Sequence, residues 1–312
     1  MNRGPARPAV TPGGPLASAL AALGLGLLRA LPQSARSFLA RALGRLAWWA
    51  GIRRRVTLDN LAHAFPDTPP AERRRIARAA YGNMALAAIE SICADLIPDA
   101  QLQDAVRSSD EGSWPALRRL LEAHQPVLIA SAHFGSWESF AEVMARRKFV
   151  FSAVVRPLSG AFNARVVAGR QAAGVELILQ RGAMRGIFSA LKRGRAVVQL
   201  IDQSVPARHG VFVPFFGRPA STTPSLSLAA LRTGAPVYVV LAAREGSGLK
   251  MWVEGPIAVP NTGDRAADLR AHTAALTAIL ERAIRQHPEQ WLWLHRRWKV
   301  LQPDLPSKRH PR

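Results

Sequence analysis

Two side chains able to exchange protons follow an apolar run in the stretch LIASAHFGSWESF, residues 128–140. His133 lies two residues past this run, and Glu138 lies five residues further on, with Gly135 between them. In a continuous helix a spacing of five places side chains about 140° apart, so the two can face each other only where the chain turns. Gly135 permits that turn. The pattern predicts either a histidine oriented by a carboxylate or a structural histidine beside a surface glutamate.

The first interpretation implies a particular chemistry. A histidine whose other ring nitrogen is held by an acceptor can take a proton from a hydroxyl, and Glu138 would fix its tautomer and stabilise the imidazolium. This is the base-and-orienter part of a catalytic triad without its serine, so the nucleophile would be a hydroxyl of the substrate. Transfer of an acyl group from a thioester to an alcohol fits that arrangement. The chain lacks a P-loop, a dinucleotide fingerprint after a strand, a G-x-S-x-G elbow and an H-E-x-x-H motif.

The elements that must position these residues belong to the α/β class. Residues 16–123 are mostly helical in pattern, and from residue 126 short apolar runs alternate with helical stretches. We expect a largely parallel central sheet covered by helices on both faces, with His133 just past a strand's carboxyl end, where sites gather in this class. The predicted strands are 126–131, 149–155, 175–179, 196–201, 236–243 and 249–255. The predicted helices lie near 136–147, 161–173, 183–193, 222–233 and 265–286.

The charge of the chain is strongly basic. Lysine and arginine number 42 against 21 acidic residues, which gives a net charge of +21, and only five of the basic residues are lysine. Arginine suits phosphate and carboxylate, so the partner is expected to be polyanionic: nucleic acid, anionic lipid or a phosphorylated substrate. The single cysteine, Cys93, excludes an internal disulfide and a cysteine-rich zinc site, and its helical context predicts a small buried side chain.

The N-terminal segment predicts contact with a membrane surface. The apolar stretch within residues 16–28 is 13 residues long, whereas a spanning helix requires about 20. Residues 1–60 carry nine arginines and one acid, Asp59. We therefore predict an interfacial or partly inserted helix and a second amphipathic helix with Trp48 and Trp49 at headgroup depth, the alternative being helices packed on the protein's own core. The predicted organisation is a loose start and interfacial helices (1–60), an α/β domain (61–300) and a basic tail (301–312).

An ordered set of motifs resembles a known family. The segment AHFGSWE matches an H-x4-[DE] pattern, and further similarity runs through residues 53–67, 154–178, 196–205, 210–224, 234–240 and 288–299. This set is similar to the bacterial lipid A biosynthesis acyltransferases of the lauroyl or myristoyl type, within the glycerolipid acyltransferase superfamily. One position departs from the pattern, because Ser136 stands where the family commonly has asparagine.

The resemblance implies roles for individual residues. His133 would be the general base and Glu138 its partner, whereas Arg170 would meet the acceptor's phosphate or the donor's phosphopantetheine. Asp202 and Gln203 would position substrate or brace the dyad. Residues expected along the acyl and acceptor groove are Phe215, Phe216, Gly217 and Thr223, although the two phenylalanines are equally consistent with buried core positions. Within WLWLHRRWK, residues Arg296, Arg297 and Lys299 predict an interfacial or phosphate-facing element, and His295 predicts a structural histidine.

The resemblance also implies a reaction and its partners. The enzyme would transfer a fatty acyl chain from acyl carrier protein, with acyl-CoA as another possible donor, to a hydroxyl of a phosphorylated lipid A precursor. No cofactor or metal is implied, and the expected location is the cytoplasmic face of the inner membrane. The alternatives are the same chemistry on another glycolipid, a membrane-surface scaffold of the same fold without activity, and a basic nucleic-acid binder. Partners of the leading interpretation are the carrier protein, the precursor and membrane lipids, and no nucleic acid.

Overall fold

A computed structural model describes residues 15–96, 112–156, 161–246 and 248–302. Residues 1–14, predicted to be loose, and most of the predicted basic tail lie outside this part. The helices of the described part, in chain order, are α1 (Pro15–Ala30), α2 (Gln33–Trp49), α3 (Arg54–Ala64), α4 (Pro70–Cys93), α5 (Ser113–Glu122), α6 (Trp137–Arg146), α7 (Ala161–Ala172), α8 (Ala183–Lys192), α9 (Ser225–Thr233) and α10 (Arg265–Gln286). The strands are β1 (Val127–Ser131), β2 (Phe151–Val155), β3 (Glu176–Leu179), β4 (Ala196–Leu200), β5 (Val211–Phe215), β6 (Arg218–Thr222), β7 (Val237–Glu245) and β8 (Gly248–Glu254).

The central sheet has six strands in the order β3-β2-β4-β1-β7-β8. All neighbours are parallel except β8, which runs antiparallel to β7. All six strands and all five helices predicted after residue 126 are confirmed, because long apolar runs between helical stretches are typical of buried parallel strands. The prediction missed the separate hairpin of β5 and β6.

Helices flank the sheet, and two apolar clusters show that both faces are covered. Leu128 and Ala130 of β1 belong to one cluster, together with side chains of α3, α4, α8, α9 and α10. Val127 and Ile129 belong to the other, which includes side chains of α5 and α6. Because successive strand residues point to opposite faces, the two clusters lie on opposite sides of the sheet. Strand β1 is therefore buried along its whole length, which fixes the position of the residues that follow it.

The N-terminal helices pack on the domain through one side. Helices α2 and α4 approach so closely that a Cβ on Gly44 would lie 2.7 Å from the Gly82 backbone. Trp48 is 7 % exposed and meets Tyr81 edge to face, so its predicted place at the membrane headgroups is wrong. Its neighbour Trp49 is 77 % exposed. Helix α2 therefore packs one side against the domain and exposes another side, because residues one position apart on a helix point about 100° apart.

Within the described ranges, no helix combines the length and the hydropathy needed to cross a bilayer. Large apolar side chains are nevertheless exposed along α1 and α2. They are Leu23, Leu27, Phe38, Leu43, Leu46 and Trp49.

Candidate active site

The turn after β1 brings His133 to the edge of the sheet. Gly135 has a positive φ of 55°, and a Cβ there would collide with the carbonyl oxygen of Ala242 in β7. The turn is held on both sides, because the Gly135 amide donates to the Gln290 carbonyl at 2.9 Å and the Ser136 amide donates to Ala242 at 2.7 Å. The predicted role of Gly135 as the joint of this turn is confirmed. Helix α6 then begins at once with Trp137.

Asp202 is the carboxylate that orients His133. The His133 ring lies with Nδ1 2.9 Å from Asp202 Oδ1, and the His133 backbone amide donates to Asp202 Oδ2 at 3.0 Å. The Trp291 indole also donates to Oδ2, at 2.9 Å. An ionised carboxylate can only accept, so in the neutral imidazole Nδ1 carries the proton and Nε2 has the lone pair. The His133 side chain is 24 % exposed, whereas that of Asp202 is 1 % exposed, which is the arrangement of a base with a buried orienter.

The environment keeps Asp202 ionised. Burial by itself would raise the pKa of this carboxyl. The charge of His133 and the hydrogen bonds from His133 and Trp291 outweigh that cost and hold the pKa below its usual range. Asp202 is therefore an anion placed to stabilise a positive charge on the His133 ring.

The prediction that Glu138 orients His133 is wrong. Glu138 accepts from the Trp137 indole at 2.9 Å and forms a bidentate ion pair with Arg170 of α7. Strands β1 and β4 are parallel neighbours with Ser131 opposite Leu200, so the residues two positions later, 133 and 202, emerge side by side. Glu138 is instead in the first turn of α6, which carries it toward α7. The same contacts occupy Arg170, whose predicted phosphate contact stays a prediction.

Gln203 joins the site, and the other predicted groove residues lie elsewhere. The Gln203 amide nitrogen is 3.4 Å from His133 Nε2, at the margin of hydrogen-bond distance. Thr223 shares a 2.8 Å hydrogen bond with Ser225, which in turn donates to Gln199 of β4. Gly217 is exposed at the turn of the β5–β6 hairpin. Within the described ranges, no contact joins Thr223 or Gly217 to His133.

Phe215 and Phe216 are core residues. Phe215 is fully buried and packs against Trp291 and Trp298, whereas Phe216 packs against Phe65 and Trp293. These contacts decide between the two sequence-based interpretations and favour the core. Through Trp291 the aromatic cluster reaches Asp202, so the core supports the carboxylate that orients the base.

The C-terminal WLWLHRRWK segment is only partly internal, because Arg296 and Lys299 are exposed and their predicted interfacial or phosphate-facing role stays a prediction. Arg297 is 0 % exposed and donates to the Ser221 carbonyl and the Thr222 hydroxyl, and burial lowers its pKa to about 10. The predicted surface role of Arg297 is therefore wrong. His295 accepts from the Ser204 amide at 3.0 Å, and burial lowers its pKa to about 4, which confirms a neutral structural histidine.

A second ion pair braces the turn from the other side, and sequence reasoning missed it. The Ser136 hydroxyl donates to Glu90 of α4 at 2.6 Å, and Glu90 forms a bidentate pair with Arg244 of β7. This explains what Ser136 contributes: its short side chain ties the catalytic turn to α4. The only sequence signal was the departure at position 136, because residues 90 and 244 are far apart in the chain.

A buried carboxylate beside a partly exposed histidine, at the carboxyl edge of a mostly parallel sheet, is the kind of place where enzymes of the α/β class carry their active sites. The model of the family described as bacterial lipid A biosynthesis acyltransferase matches residues 16–300. The chain belongs to this family and is an acyltransferase.

Three curated relatives show the range of similarity. The lipid A biosynthesis palmitoleoyltransferase of Escherichia coli (strain K12) is 26% identical over 284 residues, which cover 89% of this chain and 90% of that protein. The lauroyltransferase of the same organism is 26% identical over 295 residues, covering 92% and 93%. A phosphatidylinositol mannoside acyltransferase of Mycolicibacterium smegmatis is 26% identical over 204 residues, covering 64% and 63%.

Proposed function

We propose that this enzyme transfers a fatty acyl chain from acyl carrier protein to a hydroxyl of a phosphorylated lipid A precursor. The observation that carries the proposal is the His133–Asp202 pair, with Nδ1 held at 2.9 Å and Nε2 left as the base. The names of the E. coli relatives favour a lipid A precursor as acceptor. The basic charge of the chain suits an acidic carrier protein and a phosphorylated lipid.

The proposed mechanism has no acyl-enzyme. The acceptor's hydroxyl oxygen attacks the thioester carbonyl carbon while its proton moves to Nε2 of His133. Asp202 stabilises the imidazolium through the Nδ1 hydrogen bond. The carbon–sulfur bond then breaks, the new ester remains on the acceptor, and the departing thiolate takes the proton back from Nε2. The Gln203 amide, 3.4 Å from Nε2, is placed to donate to an oxygen that approaches the base.

In this proposal Glu138 is a positioning residue. Its carboxylate, 8 % exposed, fixes Arg170, and the pair joins α6 to α7 beside the catalytic turn. An arginine already held by one carboxylate presents its remaining N–H groups in a fixed direction, which suits a phosphate of either substrate.

The proposed location is the cytoplasmic face of the inner membrane. The exposed apolar side chains of α1 and α2 and the surrounding arginines are typical of helices that lie in the interface of an anionic bilayer. The acceptor lipid then reaches the site without leaving the membrane surface.

The decisive experiment compares the lipid A of cells with and without this protein by mass spectrometry. We expect one secondary acyl chain to be missing in its absence and to return with the wild-type gene but not with His133→Ala. In vitro, purified enzyme should acylate the precursor from acyl carrier protein. Unchanged lipid A would refute the acceptor, and acylation of another phosphoglycolipid would favour the relationship to the mannoside enzyme. A covalent acyl adduct on the protein would refute the mechanism.

A further inference from the structure

A large cavity lies next to the catalytic turn, between α2, α4 and the β7–β8 hairpin. Its volume is about 1230 Å³. Small-molecule pockets are typically about 300–1,000 Å³, so this cavity suits a ligand at least as large as a substituted disaccharide. None of the active-site residues predicted from the sequence lines this cavity.

Arginines without acidic partners line the cavity. Arg36, Arg41 and Arg45 project from α2, and Arg78 projects from α4. None of these four pairs with a carboxylate of the described ranges, unlike most arginines near the site. Like charges grouped around a concave surface raise the local concentration of anions. This side of the cavity therefore favours an anionic ligand.

The acidic side chains of the wall do not cancel this charge. Glu90 is already paired with Arg244. The other acid of the wall, Glu289, contributes one negative charge, whereas the four arginines without carboxylate partners contribute four positive charges. Arg41 and Arg45 are four residues apart on α2, which places them on the same side of the helix and about 6 Å apart along its axis. Two neighbouring arginines of this kind suit a phosphate group.

The cavity also offers apolar surface. Trp48 lies under the Arg78 guanidinium at 5.6 Å, and the exposed Trp49 stands at the rim. Leu86 of α4 and Leu249 of β8 contribute further apolar lining. Aromatic and aliphatic side chains interleaved with arginines match a molecule that combines phosphates, sugar rings and acyl chains.

The wall of the cavity is shared with the catalytic turn. Glu90, Arg244 and Gln290 line it, and the same residues hold the turn: Ser136 donates to Glu90 and Gly135 to the Gln290 carbonyl. The cavity therefore lies directly against the turn that carries His133.

We propose that this cavity binds the phosphate-bearing headgroup of the acceptor lipid, with Arg41, Arg45 and Arg78 as phosphate ligands. The inference rests on the proposed function and adds the place where the acceptor is held. A concave basic surface favours a lipid headgroup over the broad acidic surface of a carrier protein or a flat bilayer. The acyl donor then approaches His133 from another side.

The test is a triple variant, Arg41→Gln, Arg45→Gln and Arg78→Gln, in the full chain. The matched control replaces Arg185, Arg265 and Arg270 with glutamine. These arginines of α8 and α10 are exposed and lie outside the cavity, so the control variant loses the same net charge as the triple variant. The probe is a tetraacylated glucosamine disaccharide bisphosphate in detergent micelles, compared with its dephosphorylated counterpart. Thermal unfolding confirms that both variants are folded.

We expect the acceptor KM of the triple variant to rise about 10- to 100-fold, with kcat within about threefold, because each arginine–phosphate contact is a charge-assisted hydrogen bond. The control should retain the wild-type KM, and the dephosphorylated acceptor should not distinguish wild type from variant. A variant KM within twofold of wild type overturns the proposal. An equal rise in KM for both acceptors also overturns the proposal. So does a variant whose only defect is weaker binding to phosphatidylglycerol vesicles.

Equilibrium binding to His133→Ala protein separates this inference from the proposed function. If wild-type enzyme acylates the bisphosphate but the arginine variant binds it normally, the headgroup site is wrong and the function stands. If wild type shows no acyl transfer yet binds the bisphosphate in an arginine-dependent manner, the function is wrong and the anion site stands. Absence of both transfer and binding overturns both.

Discussion

Replacing Asp202 with asparagine tests the central feature of the site. Oδ2 of Asp202 accepts two N–H groups, from the His133 backbone and the Trp291 indole, whereas Oδ1 is in contact, among the described residues, with the His133 ring alone. The asparagine oxygen must therefore take the Oδ2 position, and its NH₂ group must face Nδ1. A donor opposite Nδ1 favours the tautomer with the proton on Nε2, which removes the lone pair that the reaction uses.

The expected magnitude follows from this inversion. In a serine triad the equivalent change leaves the geometry intact and lowers kcat by about 10⁴-fold. We expect Asp202→Asn to lower kcat by about 10³- to 10⁴-fold with little change in the acceptor KM. Stability should fall by only about 1–2 kcal/mol, because the shape and two of the accepted hydrogen bonds are retained.

The assay combines initial rates of acyl transfer with NMR of ¹⁵N-labelled histidine, which reports the His133 tautomer directly. Glu138→Gln is the comparison, since Glu138 contacts Trp137 and Arg170 rather than His133. It should leave the tautomer unchanged whatever it does to the rate. Should Asp202→Asn retain kcat within tenfold, or Glu138→Gln alone shift the tautomer, the orienting role of Asp202 would be refuted.

Three further predictions concern stability. Gly135→Ala should cost at least about 3 kcal/mol in urea unfolding and abolish activity, because φ is 55° and the added Cβ would strike the Ala242 carbonyl oxygen. Arg297→Ala should cost about 3 kcal/mol or more, since it empties a fully buried volume and leaves the Ser221 carbonyl without its donor at 2.7 Å. For His63, burial lowers the pKa from 6.5 to about 4, so the unfolded state binds more protons between these values. Stability should therefore decline as pH falls from about 6.5 toward 4, by about 1 kcal/mol for this histidine at pH 5 after allowance for its partial exposure.

Each has a matched control in the chain. Gly51 also has a positive φ, 72°, but open space around it, so Gly51→Ala should cost only about 1 kcal/mol. Arg296 is exposed beside Arg297, and its alanine variant should change stability by less than about 0.5 kcal/mol. The contribution of His63 to the pH dependence of stability is checked with His63→Gln, whose unfolding free energy should depend less on pH. Equal effects within either pair, or an unchanged pH slope, would contradict the corresponding argument.

Local sequence patterns predicted the helices and strands of the sheet and the position of His133. Continuous apolar runs predicted all six strands of the main sheet, because a strand buried on both faces has no polar alternation. The same pattern placed His133 two residues beyond β1 and indicated a turn at Gly135. The ordered motifs predicted the family that the comparisons then showed.

Which residues come into contact depends on strand order and long-range packing. Asp202 lies 69 residues from His133 in the chain, and the parallel pairing of β1 with β4 brings them to 2.9 Å, whereas the nearer Glu138 is carried to Arg170 by the start of α6. The burial of Phe215 and Arg297 likewise depends on contacts between distant segments, because Phe215 of β5 stacks on Trp298 and lies under the Arg297 guanidinium at 5.2 Å. Side-chain periodicity reports which face of an element is buried, but strand order and register arise from long-range packing, which no local pattern encodes.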